Sequence, residues 1–194
     1  MAKLYFRYGA MNSGKSTALL QVAHNYEERG MKVLLLKRDF DSKGESFVVS
    51  RLNVKREVDL IIKENDNIIN KIKDYDNISC ILVDEAQFFT KDHIDQMYEI
   101  AVVKNIPVIC YGLRTDFRTE GFLGSERLLL IAHSLEELKT ICTCGKKAMH
   151  NTRKVNGKWV FVGDQVAIDD GAHIEYVSLC PSCYFEKRKE MEGV

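Results

Sequence analysis

Proline is scarce in this sequence, with two in 194 residues, and the second of them, Pro181, stands between two cysteines. Internal repeats and low-complexity tracts are lacking as well, which excludes solenoids and disordered linkers. Neither sign of charge prevails, because 28 lysines and arginines balance 28 aspartates and glutamates. Nothing therefore draws the chain non-specifically onto nucleic acid or an anionic membrane, which argues against a polynucleotide partner. No stretch approaches the roughly 18 uninterrupted apolar residues of a membrane span. The first residues form no apolar signal core, since Arg7 interrupts the run. A cytoplasmic protein without membrane contact is the expectation. The six cysteines are then reduced, and their spacing reads as metal chemistry before disulfides.

What is present is the composition of a soluble globular chain, 45% hydrophobic and 29% charged, large enough for one ordinary domain and a small appendage. Residues 1–140 read as alternating strands and helices. Residues 4–8, 33–36, 78–83 and 106–111 are apolar strand-like runs, and 46–52 is a further candidate. Residues 17–29, ending at Gly30, together with 58–73 and 91–104, have helical composition or spacing. Strands apolar on both faces and separated by helices predict an α/β fold, a parallel sheet covered on both sides. Residues 141–194 differ in character and read as a second, smaller unit. Asn156 and Gly157 mark a tight hairpin turn, residues 163–175 a long polar loop, and 186–192 a charged helix.

Gly9, Ala10, Met11, Asn12, Ser13, Gly14, Lys15 and Ser16 match the pattern G-x-x-x-x-G-K-S/T in full. Glycines let such a loop wrap so that its N–H groups converge on phosphate oxygens, and the lysine reaches the outer phosphates. The serine hydroxyl can hold Mg²⁺. Chance would give this pattern in on the order of one chain per hundred of this length. Its place between a predicted strand and a predicted helix makes it a nucleotide site. The apolar run 78–83 ends in Asp84 and Glu85. Asp84 is placed to hold Mg²⁺, and Glu85 to take a proton from an acceptor hydroxyl. An ATPase could use Glu85 to activate water instead, so pattern alone stops at a P-loop phosphotransferase or ATPase.

Cys142 and Cys144 form one close pair, Cys180 and Cys183 another. Four thiolates presented from two turns suit a closed, structural zinc site that fastens the polar loop at both ends. A redox pair and unrelated buried cysteines are the alternatives. Cys80 and Cys110 lie inside apolar strands and are expected in the core.

Taken together, the loop at residues 9–16, the run 84–88, the run 111–117 and the two cysteine pairs resemble a thymidine kinase of the zinc-containing, typically tetrameric type. The resemblance spans nearly the whole chain. It implies a RecA-like P-loop parallel sheet flanked by helices, with a small C-terminal zinc-bound lasso domain. It implies transfer of the γ-phosphate of ATP to the 5′-hydroxyl of thymidine, and of deoxyuridine, with Mg²⁺ and a structural Zn²⁺. A homotetramer, feedback inhibition by thymidine triphosphate and a salvage role follow from the same likeness. Glu85 matches the general base, while Asp84 and Gln87 match a second nucleotide-contact segment. Phe117 and Tyr176 match nucleoside-packing positions, and Phe88, Leu113, Phe122 and Met11 match further members of that pocket. Ile168, Asp169, Asp170, Gly171 and Ala172 match the lasso segment whose backbone bonds the base. The lasso is longer than is common in the family and carries Asp169 and Asp170 where glycines are usual. The acidic-plus-arginine element expected near residue 41 reads Asp41, Ser42, Lys43, leaving Lys43 or Arg51 to supply the positive charge at the γ-phosphate. Two rivals remain at this stage: another small-molecule kinase, and an ATPase with a nucleic-acid-binding zinc ribbon.

Overall fold

The computed structural model describes residues 1–39, 46–166 and 173–192. Six parallel strands form the central sheet: β1 (Leu4–Tyr8), β2 (Lys32–Arg38), β5 (Leu60–Ile62), β6 (Ile78–Asp84), β7 (Val108–Gly112) and β8 (Ser134–Glu137), in the order β5-β2-β6-β7-β1-β8. The β-branched and leucine-rich centre is apolar on both faces because both faces are covered. Along β2, Val33 and Leu35 face helix α1 (Lys15–Glu27), joining Leu19, Leu20, Ala23 and Tyr111. Leu34 and Leu36 face the other way, against Ile68, Ile94, Met97, Ile100 and Leu128. Those last residues come from α2 (Ile68–Lys71), α3 (Lys91–Val103) and α4 (Leu123–Ile131). Cys80 and Cys110 are fully buried, and burial pushes the Cys80 thiol up to about 12, as expected of core residues.

Local sequence explains most of the boundaries. Helix α1 starts at Lys15, earlier than its composition suggests, because Gly14 at φ 79° turns the phosphate loop directly into it. It stops before Gly30, which adopts φ 71°. Thr90 caps α3 by accepting from the His93 N–H while the His93 ring accepts from the Thr90 N–H, a capping box.

The helix expected over 58–73 is corrected. Its first part is strand β5, and only Ile68–Lys71 is α-helical, followed by a 3₁₀ turn at Ile72–Asp74. The Asp59 carboxylate accepts from the Leu35 N–H at 2.7 Å, which aligns this segment beside β2. Asn67 then caps the short helix by accepting from the Asn70 N–H. The strand expected over 46–52 is only β3 (Phe47–Val49), because residues 50–53 turn back into β4 (Lys55–Glu57), a charged strand with no apolar signal.

After β8 the chain builds the hairpin β9 (Thr140–Ile141) and β10 (Lys147–Ala148). A three-stranded antiparallel ribbon follows, β11 (His150–Val155), β12 (Lys158–Val160) and β13 (Ile174–Leu179), in the order β12-β11-β13. Asn156 and Gly157, at φ 49° and 79°, make the expected tight turn. Part of the loop expected over 163–175 belongs to β13, because its end pairs with β11. Helix α5 (Pro181–Glu192) begins earlier than 186, with proline in its first turn, where a missing N–H is harmless. Cys142, Ala148, Leu179, Cys180 and Tyr184 form a small separate core.

Candidate active site and metal site

Loops that matter chemically leave the sheet at the carboxyl ends of β1, β6 and β7, where open parallel sheets bind ligands. Residues 9–16 connect β1 to α1, with Asn12 at φ 66° and Gly14 at φ 79° bending the loop. A side chain at Gly9 would lie 2.4 Å from the Leu138 carbonyl oxygen, so this first position admits only glycine. The Lys15 ammonium donates to the Ala10 carbonyl at 3.0 Å, inside the loop. Burial lowers its pKa, and the charges of Glu85 and Asp84 act in the opposite direction. The Ser13 hydroxyl is buried with no protein partner. A buried orphan hydroxyl, an enclosed ammonium and the amino end of a helix together suit a phosphate chain.

Asp84 ends β6 with 5% of its surface exposed. Burial first, and the Glu85 charge second, raise its pKa to about 7, against the pull of Lys37 and Lys15. Such a carboxylate suits a divalent cation, which would supply the missing positive charge. Ser16, which follows Lys15 in the first turn of α1, is the hydroxyl on the loop side.

Glu85 has φ 48°, an unusual conformation for a non-glycine residue and one typical of functional positions. Gln87 holds it there. The Gln87 amide donates to Glu85 Oε2, and its oxygen accepts from the Leu113 N–H at 3.0 Å. Gly112 makes room, since a Cβ there would lie 2.6 Å from Gln87 Oε1. Gly124 packs against the carbonyls of Ala86, Gln87 and Phe89, where a Cβ would approach Ala86 O to 2.5 Å. Gln87 is itself buried, with both ends of its amide engaged.

The expected aromatic residues lie on the segments that follow β6 and β7 and on β13. Phe117 and Phe122 are buried, Phe88 meets Phe122 edge to face at 5.7 Å, and Leu113 is half-buried. The Leu113 carbonyl accepts from the Ser125 hydroxyl at 2.5 Å. Tyr176 lies on β13, where its hydroxyl accepts from Arg153 Nε at 3.1 Å. Arg153 is a residue the sequence reading missed. Its guanidinium also donates to the carbonyls of Asp164 and Gln165, at 2.9 and 3.0 Å. It lies 3.8 Å from the Phe117 ring centroid. Ile168, Asp169, Asp170, Gly171, Ala172, Asp41, Ser42 and Lys43 lie outside the described residues. Arg51 is exposed in the turn between β3 and β4.

Cys142, Cys144, Cys180 and Cys183 converge, their sulfurs all within 4.8 Å of one another. That spacing can hold a metal ion. Backbone N–H groups of Cys144 and Cys180 point at Cys142 Sγ, and, against burial, they help bring that thiol down to about 6. A thiolate stabilised in this way is the form that ligates. Among the described residues this is the one such cluster of cysteines.

The family model for thymidine kinase matches residues 2–184. The chain belongs to the thymidine kinase family. It is 47% identical over 186 residues to the thymidine kinase of Chromobacterium violaceum, covering 95% of this chain and 98% of that one. It is 46% identical over 197 residues to the thymidine kinase of Mannheimia succiniciproducens, covering 100% of both. The thymidine kinase of Francisella tularensis subsp. tularensis is 45% identical over 188 residues, with 93% and 95% covered. Among solved structures, Pif1 helicase from Candida albicans is similar over 72% of this chain and 36% of its own, at 17% identity and a TM-score of 0.40, a likeness too slight to bear on function. Family membership removes the ATPase rival.

Proposed function

We propose that this chain is an ATP-dependent thymidine kinase that transfers the γ-phosphoryl group of ATP to the 5′-hydroxyl of thymidine, and of deoxyuridine, forming the nucleoside monophosphate for salvage into DNA precursors. The observation that carries this reading is the convergence of Lys15, Asp84 and Glu85 in a member of the thymidine kinase family. Residues 9–16 cradle the triphosphate, and Ser16 and Asp84 hold Mg²⁺. That ion, when bound, neutralises charge on the phosphates. Lys15 and the loop N–H groups stabilise the transferring group, largely by electrostatics and positioning.

As the bond between the γ-phosphorus and the β–γ bridging oxygen breaks, a bond to O5′ forms, and Glu85 accepts the hydroxyl proton. Gln87 fixes the Glu85 carboxylate for that role. Phe88, Leu113, Phe117, Phe122, Met11 and Tyr176 enclose the nucleoside, and residues 168–172 bond the base. A flat pyrimidine calls for such apolar walls with few fixed polar groups. The cysteine cluster holds a structural zinc ion, because four thiolates leave no open position for catalysis.

The same reading takes residues 1–140 as the kinase domain and 141–194 as the zinc-bound lasso domain. It includes a homotetramer, feedback inhibition by thymidine triphosphate and a cytoplasmic location. Among the described residues no helix is long and apolar enough to cross a membrane.

An assay of 5′-monophosphate formation from a panel of nucleosides with ATP and Mg²⁺ tests the assignment. Turnover of thymidine with little on purines or cytidine is expected. Equal turnover of purine nucleosides would overturn the acceptor class. Glu85→Gln should lower kcat by about a thousandfold while thymidine still binds, and near-normal kcat in that variant would remove Glu85 as the base.

A further inference from the structure

Two like-facing rungs of the C-terminal ribbon, with one pair between them, meet the phosphate loop and the segment after β7. Asn151 on β11 stands directly opposite Ser178 on β13, and two residues along Arg153 stands opposite Tyr176. Residues two apart on a strand share a face, as do directly opposed residues, so all four side chains leave the same side of the ribbon. Asn151, Ser178 and Arg153 are each buried to within 6% of full burial.

The first rung grips one residue of the phosphate loop at both ends. The Met11 N–H donates to Asn151 Oδ1 at 2.8 Å, across 140 residues of sequence. The Met11 carbonyl accepts from the Ser178 hydroxyl at 2.5 Å. The Asn151 amide also donates to the Thr115 carbonyl at 2.9 Å, in the segment that leads from β7 to Phe117. The Thr140 hydroxyl adds a bond to the Asn12 carbonyl at 3.3 Å. The second rung holds the aromatic wall, with Arg153 stacked on Phe117 and bonded to Tyr176. None of these bonds belongs to the ribbon's own backbone ladder, which is complete without them. The first rung ties the ribbon to the phosphate loop and to the segment after β7, and Arg153 ties it to Phe117.

We propose that this face of the ribbon fixes the register between the two substrates, with Asn151 and Ser178 as positioning residues that act through Met11. The first rung locates the phosphate loop, the second the nucleoside wall, and the separation of the rungs is about 7 Å along the strands. The second half of this statement rests on the nucleoside kinase assignment above. In phosphoryl transfer the protein contributes chiefly alignment, and a misplacement of about 1 Å costs on the order of a hundredfold in rate. A loop freed from the first rung would still bind nucleotide, since its N–H groups, Lys15 and Ser16 are untouched. It would present the γ-phosphoryl group out of line with the acceptor.

The test uses the full chain and the variants Ser178→Ala and Asn151→Ala. Dissociation constants for thymidine alone, and for a non-hydrolysable ATP analogue with Mg²⁺ alone, are measured by calorimetry beside kcat. Ser178→Ala should lower kcat by about tenfold or more while both dissociation constants stay within about threefold of the parent. A Ser178→Ala chain with parental kcat overturns the proposal. So does a loss of binding in parallel with kcat, which a merely structural role would give.

A second readout needs no turnover. The Met11 amide should exchange slowly with solvent in the parent chain and at least about tenfold faster in Asn151→Ala. Unchanged exchange there overturns the positioning role whatever the acceptor proves to be. Failure of the parent to phosphorylate thymidine overturns the acceptor assignment separately.

Discussion

The Arg153 guanidinium lies 3.8 Å from the centroid of the Phe117 ring, sandwiching a ribbon cation against an aromatic side chain of the loop after β7. Three further bonds, to the Tyr176 hydroxyl and to the carbonyls of Asp164 and Gln165, fix the planar fork. Lysine keeps the charge but has neither the flat face nor the fork. Arg153→Lys should therefore raise the thymidine KM by about tenfold and leave the ATP KM near its parental value. Steady-state kinetics with each substrate varied in turn checks this, and an ATP KM that rises equally would place Arg153 outside the nucleoside wall.

Gln87 distinguishes two roles for the segment after β6. The resemblance to the family places it among nucleotide contacts, whereas both ends of its amide engage Glu85 and Leu113. If its task is to orient Glu85, Gln87→Met should reduce kcat by about tenfold or more with the ATP KM nearly unchanged. A raised ATP KM at parental kcat would mark it as a nucleotide contact.

The sequence made the phosphate loop, the Asp84–Glu85 pair, the cysteine pairs and the Asn156–Gly157 turn legible, because each rests on local chemistry at fixed spacing. Arg153 and Asn151 were not legible for the opposite reason. A polar residue in a short strand reads as solvated, and the Met11 partner of Asn151 lies 140 residues away. Residues 58–73 misled because valine, leucine and isoleucine there fit either period, and a carboxylate–amide bond from Asp59 to Leu35 decides for strand. Strands β4 and β8 carry charged residues and sit away from the sheet centre, so hydrophobic patterning had nothing to detect.

The small C-terminal core of Cys142, Ala148, Leu179, Cys180 and Tyr184 is too slight to fold a ribbon without help. Cys183→Ser removes one of four converging sulfurs. Metal content should fall from about one zinc ion per chain to well below half, and the melting temperature should drop on the order of 10 °C. Elemental analysis with thermal denaturation checks both, and a variant that keeps its metal and its melting temperature would exclude Cys183 as a ligand.

His93 couples the start of α3 to pH. Its Nε2 lies 3.0 Å from the Asp66 carbonyl and donates to it, which leaves Nδ1 to accept from the Thr90 N–H. Burial lowers its pKa below 6.5, with Arg38 pushing the same way and Asp66 and Asp92 opposing. Protonation would turn Nδ1 into a donor facing another donor and break the capping box. The unfolded chain binds the proton more readily than the folded one, so stability from this residue is complete above about pH 6.5 and is lost as pH falls through the lower folded value. His93→Gln retains a capping-box residue that does not titrate. Between pH 7.5 and 5.5 the parent should lose about 3 °C more in melting temperature than this variant. Parallel melting curves across that range would show instead that another group governs the acid limb.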